Sequence, residues 1–278
     1  MSIATTPTNP NTPTTNRATN RSSASTTVSF ALHDLRRLSR DGAMLFFSMV
    51  LPVIFYLVFG QAMGFGDEPV GQGNVKASIM IGMALYAGIT GATAAAGQVV
   101  VEAETGWGRQ LALTPLTGGQ ILASRMLGII IRAVLPVAAV FIVGAVTGAD
   151  MPGSAWVIAL VLCVVCSIPF GFYGMIWAQI WPTETATSIA GTSIVILAFL
   201  GNVFMPLPET MLNVGRFSPL YGAASLARWP LTEGQQSVSF GDGFVEDPLW
   251  YAVANFIAWT LLFIGVVLVL HNREKGRQ

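Results

Sequence analysis

Residues 101–119 read VEAETGWGRQLALTPLTGG, a compact polar insert between two long apolar runs. Within it stand Glu102, Glu104, Trp107, Arg109 and Pro115. Before it, Ala77 to Val101 carries no charge. After it, Ala133 to Ala149 is also free of charge, and the apolar character extends back through Met126. The hydrocarbon core of a bilayer, about 30 Å thick, takes roughly 20 apolar residues of helix. Two such runs with a polar link between them define a pair of membrane spans joined on one membrane face.

Working outward, the same pattern repeats. Met44 to Met63, Ala155 to Ile180, Ala186 to Met205 and Leu249 to Leu270 are further uncharged runs. The expectation is an all-α integral membrane protein with six spans, at about 44–63, 77–101, 126–149, 155–180, 186–205 and 249–270. Composition agrees: 53% of residues are hydrophobic and 10% charged, with a mean hydropathy of +0.63. Soluble domains carry roughly 25% charged residues, so the solvent for this surface is lipid. The first run starts too late and runs too long for a cleavable signal, and no small-residue cleavage site follows it.

Orientation follows from Lys and Arg in the short flanking segments. Arg17, Arg21, Arg36, Arg37 and Arg40 precede the first run, and Arg273, Lys275 and Arg277 follow the last. Arg109 and Arg125 flank the second link. The opposite side has Lys76, Arg216 and Arg228 against Asp67, Glu68, Asp150, Glu209, Glu233, Asp242, Glu246 and Asp247. Both termini and residues 101–119 are therefore expected in the cytoplasm. Residues 1–27, rich in Thr, Asn, Ser and Pro, have too little apolar content to offset ordering entropy and are expected to be a disordered tail. Residues 28–278 then form one membrane domain. Phe30, Leu32, Leu35 and Leu38 recur near helical spacing among Arg36, Arg37 and Arg40, which suits an amphipathic interfacial helix. A polar cytoplasmic extension of the first span is the alternative. Between Pro206 and Pro248 the chain is too interrupted for a span and too apolar for a free loop. Two short helices dipping into the outer leaflet fit both facts, with "TEGQQSVSFGDGFVED" as a solvated loop.

Small residues four apart, Gly60 and Gly64, Gly91 and Ala95, Gly144 and Gly148, permit close helix approach, though they also suit hinges. No catalytic signature survives its context. "GATAAAGQ", 91–98, lacks the Lys-Ser/Thr ending of a phosphate loop and sits inside a span. Cys163 and Cys166 form a C-x-x-C within an apolar run, with no cation to stabilise a thiolate. Buried packing is the expected role. His33 and His271 are far apart in sequence and mark no metal site. Gln61, Gln98, Gln179, Asn202 and Asn255 are polar groups inside or beside spans. Each suits either a substrate path or a helix-to-helix hydrogen bond. Arg132 has the length to snorkel to the cytoplasmic surface. No acidic residue lies near the middle of a span, which argues against a proton-driven carrier. Residues 103–113 suit a short helix ended by Thr114-Pro115. That helix would be a knob for a soluble partner, or else a surface loop anchored by Trp107.

The motif from Glu102 to Leu116, E-x-E-x-G-W-x-R-Q-L-x-L-T-P-L, resembles the segment after the second span in type-2 ABC exporter permeases, especially bacterial drug exporters. "GNVFMPLPETMLNVGRFSPLYG", 201–222, is similar to that family's stretch leading into outer re-entrant helices. Ala103 stands where many relatives carry a basic residue. The resemblance implies a half-transporter at the cell membrane. Its partners would be an ABC ATP-binding subunit, a second permease subunit (the same or a paralogue) and membrane lipid, with no nucleic acid. ATP and magnesium would bind the partner, leaving this chain without a cofactor, a metal or enzyme activity of its own. Coupling residues would be Glu102, Glu104, Gly106, Trp107, Arg109, Gln110, Leu111, Thr114, Pro115 and Leu116. The interfacial helix, with Phe30, Leu35, Arg36, Arg37 and Arg40, would complete the docking surface. Substrate would pass along spans one, two and five, with Phe47, Phe55, Phe59, Gln98 and Asn202 as candidate contacts. The Phe-rich first span suits an amphipathic drug, antibiotic or lipid. Rival readings are export of a polysaccharide or an ion, or an intramembrane enzyme or sensor subunit.

Overall fold

The computed structural model describes residues 46–61, 64–104, 118–238 and 244–275. The tail at 1–27 and the interfacial helix expected at Phe30 to Arg40 lie outside them. Most of the described backbone is helical. The first helix, α1 (46–61), is α-helical at Leu51–Tyr56 between π-helical turns Phe46–Val50 and Leu57–Gln61. Pro52 near its centre contributes no N–H to the ladder. A short hairpin follows, β1 (Pro69–Val70) paired antiparallel with β2 (Gly73–Asn74). Then come α2 (Val75–Glu104), α3 (Gly118–Val146), α4 (Gly153–Ser167) and α5 (Pro169–Ile180). The chain continues with α6 (Glu184–Leu200), α7 (Glu209–Gly215) and α8 (Pro219–Thr232). A second hairpin, β3 (Gln235–Ser237) with β4 (Phe244–Glu246), leads to α9 (Leu249–Lys275).

Four helical stretches among the described residues are long and apolar enough to cross a membrane: Val75–Ala103, Leu122–Val146, Gly153–Ile180 and Leu249–Arg273. The third joins α4 to α5 through Ile168, where Pro169 removes one ladder bond. Ser48–Gln61 and Thr185–Leu200 are apolar but shorter. The protein is thus a multi-pass helical membrane protein.

α2 is the hub. Of its apolar window 83% is buried, against 6% for α9, whose sides face outward. α2 packs against α3, α4, α5, α6 and α8. Its start is fixed by Asn74, whose Oδ1 accepts from the Ala77 amide at 2.9 Å, an N-cap bond. The same oxygen accepts from the Asp150 amide at 3.0 Å, and Nδ2 donates to the Gly148 carbonyl at 2.9 Å. One side chain therefore starts α2 and ties it to the turn after α3.

Gly91 and Gly144 serve close packing as expected. A Cβ on Gly91 would meet the Arg132 carbonyl oxygen of α3, and one on Gly144 would meet the Met80 sulfur. Gly64 and Gly148 depart from that expectation. Gly148 has a φ of +90° and ends α3, with the Ala149 amide donating back to the Gly144 carbonyl at 3.0 Å. Gly64 has a φ of +76° and nothing near its Cβ position. Both are turn glycines, needed for left-handed backbone rather than for contact.

Span five was expected to reach Met205, yet α6 stops at Leu200. Asn202 takes a φ of 57°, and the amides of Asn202 and Val203 donate back to the Phe199 and Ala198 carbonyls at 3.3 and 3.0 Å. That pair of bonds around a left-handed residue is a Schellman ending. Beyond it, α7 and α8 supply the two short helices expected. The segment expected as a solvated loop instead forms β3 and β4 on either side of residues 239–243. α8 carries Leu220, Tyr221, Ala223, Ala224, Ala227 and Leu231 into the core, packed on α9, α4, α2 and α6. The α7–α8 corner is held to α9 by polar bonds. Arg216 Nη2 donates to Asp247 Oδ1 at 2.6 Å, and Tyr221 donates to Asp247 Oδ2. Burial raises the Tyr221 phenol pKa and Asp247 adds to the rise, so this group remains a donor at ordinary pH. From α9, Tyr251 and Asn255 both donate to the Arg216 carbonyl, at 3.1 and 2.8 Å.

Candidate functional site

The bundle has two ends, joined by α2. One carries Glu104 and the link at 105–117; the other carries both hairpins. At the link end, Glu102 lies half-buried in the last turn of α2 and Glu104 is its final residue. Gly106, Trp107, Arg109, Gln110, Leu111, Thr114, Pro115 and Leu116 lie outside the described residues, as do Phe30, Leu35, Arg36, Arg37 and Arg40. The backbone of Phe47 belongs to α1, and its side chain also lies outside them.

Deeper from the link end, Arg132 of α3 is buried, and its Nη1 donates to Gln98 Oε1 of α2 at 2.8 Å. Arg132 thus turns inward to a neighbouring helix instead of snorkelling. The remaining intramembrane polar groups mostly serve helix contacts too. Gln61 donates to the Thr147 carbonyl at 2.6 Å, beside a 2.8 Å bond between the Tyr56 and Thr147 hydroxyls. Cys163 and Cys166 are buried and unbridged, with Cys163 Sγ 3.6 Å from the Ile81 carbonyl. They fill space between α4 and α2.

At the hairpin end an aromatic cluster joins α1, α2 and the end of α6. Phe204, just past α6, makes edge contacts with Phe55, Tyr86 and Phe199 at centroid distances of 5.9, 4.8 and 5.0 Å. Phe55 in turn lies 5.9 Å from Phe59. Such pairs add ~0.5–1.5 kcal/mol each beyond the area they bury. Beside this cluster is a cavity of about 100 Å³. Its apolar lining includes Phe59, Phe65, Val75, Ile79 and Phe204. Its polar lining includes Ser78, Asn202, Arg228, Thr232 and Gln236.

Arg228 is the residue the sequence did not announce. It sits on α8, 8% exposed, and spends its donors on backbone. Nη1 donates to the Asn202 carbonyl at 2.7 Å, Nη2 to the Val203 carbonyl at 2.8 Å and Nε to the Ser78 carbonyl at 3.2 Å. Two of these carbonyls lie just past the C-terminal end of α6, where the helix dipole favours a cation. Arg228 thereby clasps α8, the end of α6 and the start of α2. No carboxylate among the described residues pairs with it.

The structure therefore brings Phe55, Phe59 and Asn202 together and leaves Gln98 apart. Gln98 lies 19 residues along α2 from Ile79, about 28 Å at 1.5 Å per residue. Asn202 also has structural work, since its Oδ1 accepts from the Leu207 amide at 3.0 Å. Phe204, Tyr86 and Arg228 join the candidate residues.

A multi-pass helical bundle with a charged link after its central span and two short helices at the other end, one of them buried in the core, has the build of a transport permease. The chain belongs to the ABC-2 type transporter family, whose model matches residues 29–231. It is also similar to a Bacillus subtilis (strain 168) protein named "Putative transport permease YvfS", at 23% identity over 252 residues, 88% of this chain and 97% of that one.

Proposed function

We propose that this chain is the permease half of an ATP-driven exporter moving an amphipathic small molecule, such as a drug, an antibiotic or a lipid, out of a bacterial cell. All six apolar helices cross the inner membrane as one domain, 28–278, with both termini in the cytoplasm. A separate ABC subunit binds ATP and magnesium, and a second permease subunit completes the assembly. Within the family assignment, the observation that carries the reading is the continuity of α2. This helix has 30 residues and so spans about 45 Å. It starts at the wall of the hairpin-end cavity and ends on Glu102 and Glu104. A partner seated on residues 102–116 would move α2 as a rod, and with it the aromatic cluster at Tyr86 and the contacts around Ser78. Phe55 and Phe59, on a face shared with spans two and five, supply an apolar path suited to an amphiphile.

The test is to reconstitute the permease with its ATP-binding subunit in inside-out vesicles and follow an amphipathic fluorescent dye. The reading expects ATP-dependent accumulation, reduced at least about tenfold when Glu104 and Arg109 are both replaced by Ala. Dye accumulation that needs no ATP would contradict it.

A further inference from the structure

We propose that the hairpin-end cavity is a binding site for the anionic headgroup of an amphiphile, phosphate or carboxylate, with Arg228 as its charge partner. This inference is independent of the export reading. Its first support is an unneutralised charge. A buried cation is costly unless paired, and Arg228 meets only backbone carbonyls among the described residues. Guanidinium has five N–H donors in a planar fork. Three are committed to Ser78, Asn202 and Val203, which leaves two for a ligand, and Arg228 lines the cavity.

Its second support is the shape and lining of the space. A volume of about 100 Å³ falls well below the roughly 300–1,000 Å³ of pockets that enclose drug-sized ligands. It is nearer the ~150 Å³ cavity that holds one benzene ring. The space therefore suits a headgroup and not a whole exported molecule. Around Arg228, Ser78, Thr232 and Gln236 present hydroxyl and amide groups, and Gln236 is buried with its Nε2 3.1 Å from Ser225 Oγ. Phe59, Phe65 and Ile79 add apolar surface to the same lining, and Phe65 is exposed. A lining that combines a cation and polar groups with aromatic and aliphatic side chains suits a charged head carried on a hydrocarbon chain. A free anion would use only half of the lining.

The test measures binding to the purified full-length chain in a neutral detergent. The probes are dioleoyl phosphatidic acid, dioleoylglycerol with the same chains and no anion, and inorganic phosphate. The expected result is at least about tenfold tighter binding of phosphatidic acid than of dioleoylglycerol, with no binding of inorganic phosphate at the same concentration. Arg228→Gln should abolish the preference. Val75→Phe should abolish it too, because it fills the cavity and leaves the Arg228 contacts in place. Should Arg228→Gln fail to fold, the Val75→Phe comparison decides. Equal binding of the two lipids, or a preference that survives Val75→Phe, would overturn the site. Inorganic phosphate binding as tightly as phosphatidic acid would overturn its amphiphile character.

Discussion

At the scale of single residues, packing tolerances decide more than chemistry. Gly91→Ala should lower thermal stability by about 1–3 kcal/mol, the usual cost of overpacking, because the new Cβ meets the Arg132 carbonyl. Gly191→Ala meets nothing within 4 Å, and the better helix former should leave stability equal or higher. Melting curves of both variants in one detergent check the pair; a stable Gly91→Ala would mean that α2 and α3 are not that close. Cys163 and Cys166, 0% and 1% exposed, should resist maleimide in the folded protein and react only after denaturation. Fast labelling of the native chain would remove the packing role. Arg228 was beyond sequence reasoning for a physical reason. In "LARWPL" it reads as one more cation in an outer segment, and only tertiary packing reveals that it is buried against three carbonyls. The glycine pairs were legible as spacing, but spacing does not report φ, so Gly64 and Gly148 could not be told from packing glycines.

At the scale of elements, hydropathy located the apolar helices well and their ends less well. The run Ala186 to Met205 gives no hint that α6 stops at Leu200, because the stop is a left-handed Asn202 inside an apolar stretch. Asn is among the few non-glycine residues that visit that region readily, and Gly201-Asn202 was the signal available. Asn202→Gly should keep the turn and lose the side-chain bond to the Leu207 amide. Asn202→Ala should cost a further ~1–2 kcal/mol for the left-handed backbone, read as a lower melting temperature than the Gly variant. Equal melting temperatures would contradict that account. The hairpin β3–β4 was also signalled, since "GDG" at 241–243 between alternating residues is a turn signature. High polarity favoured the loop reading over it. The corner held by Arg216, Asp247 and Tyr221 depends on residues distant in sequence, and no local pattern could give it.

At the scale of the whole molecule, the central claim is mechanical: α2 joins a partner-docking segment at one end to the aromatic cluster and cavity at the other. Membership of the ABC-2 type transporter family and the 30-residue helix are its foundations. The docking role proposed for Gly106 to Leu116 rests on a sequence motif alone, since these residues lie outside the described ones and the role concerns contacts with another chain. The most direct measurement is to isolate the protein from its native membrane in mild detergent and identify what accompanies it, for the wild type and for the Glu104→Ala, Arg109→Ala double variant. The account predicts an ATP-binding subunit at equal stoichiometry with the wild type, released by the double variant while the permease stays folded in the membrane. A wild-type chain that comes alone and supports no ATP hydrolysis in any lipid would contradict it.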